Sequence, residues 1–232
     1  MKKIMLTALM GILALGASAQ MLTSRTYTKA KNPTLWYARA GASFNNIAGL
    51  SSIEYDADGE KLSLGTKTGF VVDFGFQKAI GKSGLYWGME LGLGNRGCAV
   101  TEKIDESEIK ASLLAWNLTY SPFTIGYKYS VTDKIKIDAH FGGYLSYDFA
   151  HSLSGKADGH KIDDLDWDEF KDECGYEDFD GGIQLGIGMW YDRFNIDVTW
   201  QRGFGTMVNE FDGESTKTGC SSNLMLRLGV AF

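Results

Sequence analysis

Asp138, His140 and Tyr144 are an acid, a base and a phenol that lie close together in the sequence. On a soluble enzyme, side chains of these types could exchange protons with a substrate. Their even spacing falls within a stretch of alternating apolar and polar residues, which places all three on one face of a single strand. Catalytic groups have to converge around a substrate, so we interpret the three residues as packed interior side chains without substrate access.

Asp148, His151 and Ser152 form a second group of reactive side chains. They fall near the predicted outer end of the same strand, where they are the candidates for a membrane-embedded enzyme that modifies lipids. Adjacency in sequence is weak evidence for a site, because catalytic groups have to converge in space. We therefore predict that the protein is not an enzyme, with lipid modification as the alternative.

The segment 158–180 carries eleven carboxylates and only two lysines. Asp164, Asp166 and Asp168 alternate within it and could bind Ca²⁺ through oxygen ligands. The segment lacks the glycine and the terminal glutamate of an EF-hand loop at the required spacing. The favoured interpretation is a solvated surface loop without a cofactor, bridged by divalent ions to lipopolysaccharide phosphates, and calcium binding is the alternative.

The three cysteines, Cys98, Cys174 and Cys220, all fall in predicted outer loops. An exported protein can form disulfides, and three cysteines leave one thiol over. Three pairings are open, and the sequence does not choose among them. The cysteines lack the CxxC or histidine spacing of a metal site.

The N-terminus has the three parts of a cleavable export signal. Lys2 and Lys3 precede an apolar run over 4–15, and Ala17 to Ala19 give the small-residue cleavage pattern. The run is too short for a transmembrane helix, which needs about twenty residues. The formal net charge of −6 gives no reason to expect a nucleic acid partner. We predict a signal peptide at 1–19, a short periplasmic segment at 20–33 and a barrel domain at 34–232.

The main structural signal is an alternation of apolar residues with polar residues or glycine, which is typical of strands with two unlike faces. Over 70–77, for example, Phe70, Phe74 and Phe76 share one face, while Asp73 and Gln77 share the other. Eight such segments occur, at 36–44, 70–77, 85–94, 118–129, 134–147, 183–191, 194–201 and 223–232.

The connections between these segments alternate in length. Short turns on one rim and long loops on the other are typical of outer-membrane barrels, whose short side faces the periplasm. The pattern predicts an all-β fold, an eight-stranded antiparallel up-and-down transmembrane β-barrel with short periplasmic turns, long extracellular loops and both mature termini periplasmic. The alternative is a soluble β-sandwich or a lipocalin-like barrel. The predicted long loops are 45–67, 95–110, 148–180 and 202–222, and the predicted short turns are 78–84, 131–134 and 192–193.

The interior of an eight-stranded barrel is narrow and is filled by side chains. Charges that point into it are costly unless they are paired, so we expect an internal salt-bridge network that plugs the lumen. A conduction path is the alternative. The predicted network consists of Arg39, Asp73, Glu90, Arg96, Lys128, Lys136, Asp138, Asp197 and Arg227.

Several segments resemble a known family. FVVDFGF, LYWGMELGLG, SPFTIGYKYSV and the closing LMLRLGVAF, which ends in Phe232, are similar to the PorT-like outer-membrane β-barrel proteins of the Bacteroidetes. These proteins share an architecture with the small OmpX and OmpA barrels. The resemblance implies an outer-membrane location, and the terminal phenylalanine resembles the signal that the barrel-assembly machinery reads during insertion.

We therefore expect a monomer in the outer membrane, surrounded by lipid and lipopolysaccharide. Its expected role is non-enzymatic, with surface-exposed loops that serve envelope integrity, adhesion or partner binding. Besides lipid modification, the resemblance permits a role as an accessory component of a secretion system.

Overall fold

The computed structural model describes residues 34–49, 52–54, 61–104, 107–157, 160–162, 167–212 and 215–232. The predicted signal peptide at 1–19 and the segment 20–33 lie outside these ranges. The described elements are β1 (Thr34–Ala48), β2 (Ser52–Glu54), β3 (Lys61–Gly65), β4 (Lys67–Ala79), β5 (Leu85–Ile104), β6 (Ser107–Ser130), β7 (Ile135–Ala157), β8 (His160–Ile162), α1 (Trp167–Cys174), β9 (Phe179–Tyr191), β10 (Phe194–Asp212) and β11 (Ser215–Ala231).

Eight of these strands form a closed antiparallel ring. Its order is β1, β4, β5, β6, β7, β9, β10 and β11. Pairing of β11 with β1 closes the ring, from Tyr37 opposite Ala231 to Ala48 opposite Cys220. The predicted eight-stranded up-and-down barrel is confirmed. The short strands add to the wall at one end, where β2 pairs with β3, β3 with β5 and β8 with β7.

The alternation in the sequence becomes the two faces of the barrel wall. On β4, Phe74 is exposed on the outside, while its neighbour Asp73 is buried inside. An outward apolar face and a buried polar face are what a barrel in a bilayer requires. Exposed apolar side chains, one from each strand of the ring, are Trp36, Phe74, Leu91, Leu118, Phe141, Leu185, Ile196 and Leu226. Buried inward side chains on the same strands are Tyr37, Asp73, Glu90, Asn117, Asp138, Gln184, Asp197 and Arg227.

Three tight turns lie at one end of the barrel, together with Thr34 and Phe232, and we call it the short-turn end. Residues 80–84 connect β4 to β5, 131–134 connect β6 to β7, and 192–193 connect β9 to β10. Asp192 has a φ of 54°, the left-handed conformation that two-residue hairpin turns require. The opposite end, where the long strands project, is the hairpin end.

The predicted long loops are wrong in one respect, because most of their residues continue the strands. β6 has 24 residues and β7 has 23, whereas about nine to eleven tilted residues span a bilayer. Cys98 and Cys220, placed in loops by the sequence, lie in β5 and β11. Beyond the bilayer the outer face of a strand meets water instead of lipid, so the outward apolar residues that identified the strands are no longer required there.

The helix α1 connects the projecting part of β7 to β9. Trp167 at its start and Tyr176 after its end pack against buried apolar residues of the barrel interior. This segment therefore covers the interior at the hairpin end. Within the described ranges, no helix combines the length and apolar character needed to cross a membrane.

Candidate functional site

Two charge clusters fill the barrel interior. The larger one consists of Arg39, Asp73, Glu90, Asp197 and Arg227, and we call it the Arg227 cluster. All five side chains are nearly inaccessible to solvent, and they come from β1, β4, β5, β10 and β11. Inward register positions on neighbouring strands bring them together, because Arg227 is paired with Asp197 and Arg39 with Asp73.

Arg227 is the centre of this cluster. Its Nη1 donates to Asp73 at 2.7 Å, and its Nε and Nη2 donate to Asp197 at 2.9 and 2.5 Å. Arg39 Nη1 donates to Glu90 at 2.7 Å, and Tyr37 donates its hydroxyl hydrogen to the same carboxylate oxygen at 2.7 Å. Charged hydrogen bonds of this kind are strong when desolvated, so the cluster ties five strands together across the lumen.

Asp138 accepts hydrogen bonds from aromatic side chains on either side of it. Tyr86 donates its hydroxyl hydrogen at 2.7 Å and Trp190 donates its indole N–H at 3.1 Å. His140 lies 3.4 Å from Asp138 and 3.1 Å from the hydroxyl of Thr199. Asp138 is therefore engaged by side chains of the barrel interior, which hold it in place as a packing residue.

Tyr144 is separate from Asp138 and His140, the two residues that the sequence grouped with it. Its hydroxyl donates to Asp180 at 3.1 Å. The three do not form one site, in agreement with their interpretation as packing residues.

The two lysines of the predicted network lie at its edge. Lys128 places its ammonium 4.2 Å from the centre of the Trp190 ring, a cation–π contact. Lys136 is exposed, so it is not part of the buried network. It stands one residue from the start of β7, where a long side chain can reach water.

The second cluster, which we call the Arg96 cluster, consists of Arg96, Asp148 and Asp180. Arg96 Nε donates to Asp148 at 2.7 Å, and its Nη1 lies 2.8 Å from Asp180. Asp180 also accepts from Ser221 at 2.6 Å and from the backbone N–H of Gly205 at 2.8 Å. The network prediction included Arg96 but missed both acids, because they lie at the ends of a predicted loop. For Asp148, the signal in the sequence was the inward parity of Ser146, which continues to Asp148 two residues later.

An apolar cluster closes the hairpin end beyond the Arg96 cluster. Tyr176 donates its hydroxyl hydrogen to Asp148 and so joins the two. His151 stacks on Trp167, with ring centroids 3.9 Å apart and planes inclined by 10°. Burial lowers the pKa of His151 below that of an exposed imidazole, although Asp148 and Asp178 favour its charged form. The buried members of the apolar cluster are Ile47, Cys98, Leu113, Ala115, Tyr176 and Met207.

The described residues line a small interior cavity and a larger one that opens at the rim. One of about 20 Å³ lies between the charge clusters and is lined by polar side chains that include Asn95, Asn117 and Asn223. This volume suits about one water molecule. The other, of about 200 Å³, opens at the short-turn end beside Lys128 and Lys136.

The residues considered for lipid modification do not form a site. Asp148 is buried and engaged by Arg96, and His151 also points inward, beneath Trp167. Ser152 is exposed on the opposite face of β7. A hydroxyl on the outer face cannot meet an imidazole on the inner face of the same strand.

The predicted calcium ligands and disulfide lie only partly within the described residues. Asp164 and Asp166 fall outside them, and Asp168 is exposed in the first turn of α1. Within the described ranges, no group of three His, Cys, Asp or Glu side chains is arranged to hold a metal ion. The side chain of Cys174 is also outside the description, so the disulfide and the calcium site both stay predictions.

Comparisons with known proteins agree with the barrel architecture. A family model described as "Outer membrane protein beta-barrel domain" matches residues 18–209. No curated protein matches the sequence.

Solved structures of outer-membrane proteins share a distant likeness with the chain. Neisserial surface protein A is 15% identical, over 85% of this chain and 97% of its own, with a TM-score of 0.34. OprG from Pseudomonas aeruginosa is 14% identical, over 88% and 97%, with a TM-score of 0.40. Ail of Yersinia pestis, solved with the heparin analogue sucrose octasulfate, is 10% identical, over 86% and 99%, with a TM-score of 0.36. Likenesses of this size carry no argument about function.

Proposed function

This chain belongs to the outer-membrane protein β-barrel domain family, and on that premise we propose that it is a non-conducting, non-enzymatic scaffold that presents its hairpin end for contacts at the cell surface. The observation that carries the proposal is the filled interior. Two charge clusters and an apolar cluster follow one another along the lumen, and Tyr176 joins the last two. We also propose that both termini are periplasmic and that the protein is one of the PorT-like proteins of the Bacteroidetes, as the closing LMLRLGVAF supports.

The closed lumen supports the non-conducting part of the proposal. Arg227 and Arg39 reach across the interior to carboxylates of other strands at 2.7 Å. An ion that passed through would have to separate these pairs, and an unpaired buried charge is strongly unfavourable. The protein is therefore expected to seal the membrane.

The projecting strands support the surface role. β5, β6 and β7 continue well past the length that a bilayer requires. Uninterrupted pairing from Glu90 opposite Ser121 to Ile104 opposite Ser107 makes the β5–β6 projection an extension of the wall. A partner would meet a sheet held in place by the barrel.

Planar-bilayer recording tests the closed lumen. The folded state of the purified protein is first checked by its migration on unheated gels. The folded protein is then reconstituted at rising protein-to-lipid ratios and should give no sustained single-channel currents. Reproducible open levels that scale with the amount of inserted protein would overturn the non-conducting role.

Lipid A mass spectra test the enzymatic alternative. The spectra of a deletion strain should match those of the parent strain. A specific change in lipid A mass that complementation reverses would favour the lipid-modifying enzyme.

A shortened hairpin tests the surface role. Val100 and Ala111 are directly paired, so residues 101–110 can be replaced by Asn-Gly, which favours a tight turn between antiparallel strands. We expect the shortened barrel to fold and insert, but to reproduce the adhesion or envelope defects of a deletion strain. Full complementation by the shortened barrel would contradict a contact role for this hairpin. Loss of secretion instead of adhesion would favour the accessory role in a secretion system.

A further inference from the structure

Two lysines meet at the larger cavity, which opens at the short-turn end and which we call the short-turn pocket. Lys136 on β7 is directly opposite Ser130 on β6, and Lys128 lies two residues before Ser130 on the same strand. All three residues line the pocket, so both lysines are within reach of one ligand. We propose that the short-turn pocket binds the carboxyl-terminal residue of a peptide from the periplasmic side.

The positive charge of the short-turn pocket is only partly balanced. Asp138 is directly opposite Lys128 across β6 and β7, and its single charge balances one of the two ammonium groups. Its oxygens already accept hydrogen bonds from Tyr86 and Trp190. In the described part of the chain, neither Lys128 nor Lys136 forms an ion pair with a carboxylate. One cation in excess suits a ligand that carries one carboxylate, since charged hydrogen bonds between ammonium and carboxylate groups are strong.

A buried amide adds a second kind of polar group to the short-turn pocket. Gln77 lines the pocket and is 4% exposed, and its side-chain oxygen accepts no hydrogen bond from the described residues. A buried polar atom without a partner is costly. The terminal amide torsion of glutamine is soft, so this oxygen can turn towards an N–H group of a ligand. The last residue of a peptide has such an N–H group next to its carboxylate.

The walls of the short-turn pocket limit the size and character of the ligand. Leu35, Ala79 and Leu85 supply apolar surface, and Leu35 also packs against the buried rings of Tyr37 and Trp190. The volume of about 200 Å³ has room for several water molecules, which is enough for one amino-acid residue but not for a folded partner. The lysines, the amide and the apolar wall therefore match the carboxylate, the N–H group and the side chain of a terminal residue.

Two other occupants match the short-turn pocket less well. The segment 20–33, which precedes β1, contains Arg25, Lys29 and Lys31 and no carboxylate, so it cannot balance the lysines. Membrane lipid contacts the outer wall, whereas Gln77 shares the inward face of β4 with Asp73. The free end of a peptide can enter the pocket from water.

This inference goes beyond the scaffold role and shares one premise with it, that the short-turn end faces the periplasm. Binding to the barrel in detergent does not depend on that orientation. Absence of binding would therefore overturn the pocket and leave the scaffold role standing, whereas a conducting barrel would overturn the scaffold role alone.

NMR titration of the isotope-labelled full barrel in detergent tests the pocket, with acetyl-trialanine that has a free carboxylate as the probe. We expect saturable shifts of the backbone amide signals of residues that line the pocket, and no such shifts with the same peptide capped as an amide. The double variant Lys128→Gln/Lys136→Gln should lose about tenfold or more in affinity, because charged hydrogen bonds are lost. The matched control is Lys78→Gln/Lys82→Gln, which removes two exposed lysines of the same end that do not line the pocket and should leave binding unchanged.

Two single variants separate the pocket from general charge and from folding. Ser130→Phe keeps both lysines and fills the opening at an exposed residue, so it should abolish binding. Lys136→Gln changes an exposed side chain, so it should leave the thermal unfolding midpoint unchanged and still weaken binding.

The outcomes that would overturn the inference are distinct. Binding by the double variant or by Ser130→Phe that equals that of the unmodified protein would exclude the short-turn pocket as the site. Equal binding of the amidated peptide would exclude recognition of the carboxylate. Displacement of the peptide by equimolar acetate or inorganic phosphate would show that the pocket takes small anions instead of a peptide end.

Discussion

Arg227 and Asp197 are directly paired across β10 and β11, and two guanidinium nitrogens of Arg227 donate to the same carboxylate oxygen of Asp197. The remaining nitrogen of Arg227 donates to Asp73 on the far side of the seam that β1 and β11 close. One guanidinium therefore joins strands on both sides of this seam. The pairing of β1 with β11 is therefore stabilised by ion pairs inside the barrel as well as by the hydrogen bonds of the wall.

Substitution of Arg227 should destabilise the barrel strongly. Arg227→Met keeps much of the side-chain length but leaves Asp73 and Asp197 buried without their main cation. Removing one partner of a buried ion pair costs about 3–5 kcal/mol of unfolding free energy. Urea unfolding in lipid vesicles measures the difference, with Lys134→Met, an exposed residue of a short turn, as the control. A variant as stable as the unmodified protein would show that the network contributes little.

The membrane-facing part of the fold was predictable from the sequence, because lipid contact requires an apolar outer face. Phe74 and Asp73 were assigned to the correct sides of β4 for this reason. The projections were not predictable, since an outer face in contact with water removes that requirement. Asp148 and Asp180 were missed as partners of Arg96 because they lie where the alternation fades.

Gly41 should be essential for closing the barrel. A Cβ at this position would lie 1.9 Å from the backbone oxygen of Leu226, and the backbone on both sides is fixed by the β1–β11 ladder. Gly41→Ala should lower the unfolding free energy by about 1–3 kcal/mol and reduce the yield of refolded barrel. Gly65→Ala is the control, because its nearest neighbour would lie at 3.6 Å. Equal refolding yields and stabilities for the two variants would contradict the expectation.

The segment around Tyr176 should shield Cys98 from solvent. Both side chains belong to the buried apolar cluster at the hairpin end. In a reduced Cys174→Ser/Cys220→Ser background, a maleimide should label Cys98 slowly. Tyr176→Ala should raise the labelling rate by about tenfold or more, because local opening becomes easier. Tyr129→Ala, at an exposed residue of the short-turn end, is the control, and similar rates in all three proteins would argue against a cover.

The cover over Cys98 should also weaken when the pH falls. The imidazole of His151 lies beneath Trp167, and burial holds its pKa below that of an exposed histidine, despite Asp148 and Asp178. An exposed imidazole takes up its proton at about pH 6.5. Below that pH the open state therefore binds a proton more readily than the covered state, so the covered state loses stability as the pH falls. Above it, both states are neutral and the cover is fully stable.

The measurement is the labelling rate of Cys98 from about pH 7.5 to about pH 5.5, the range in which histidines usually titrate. Thiol ionisation changes every rate over this range, so each rate is divided by that of His151→Phe, which keeps an aromatic ring beneath Trp167 and cannot be protonated. We expect the ratio to rise as the pH falls. A ratio that stays constant would exclude His151 as the titrating group, and a falling ratio would mean that its proton stabilises the cover through Asp178, whose carboxylate lies 3.2 Å from the imidazole.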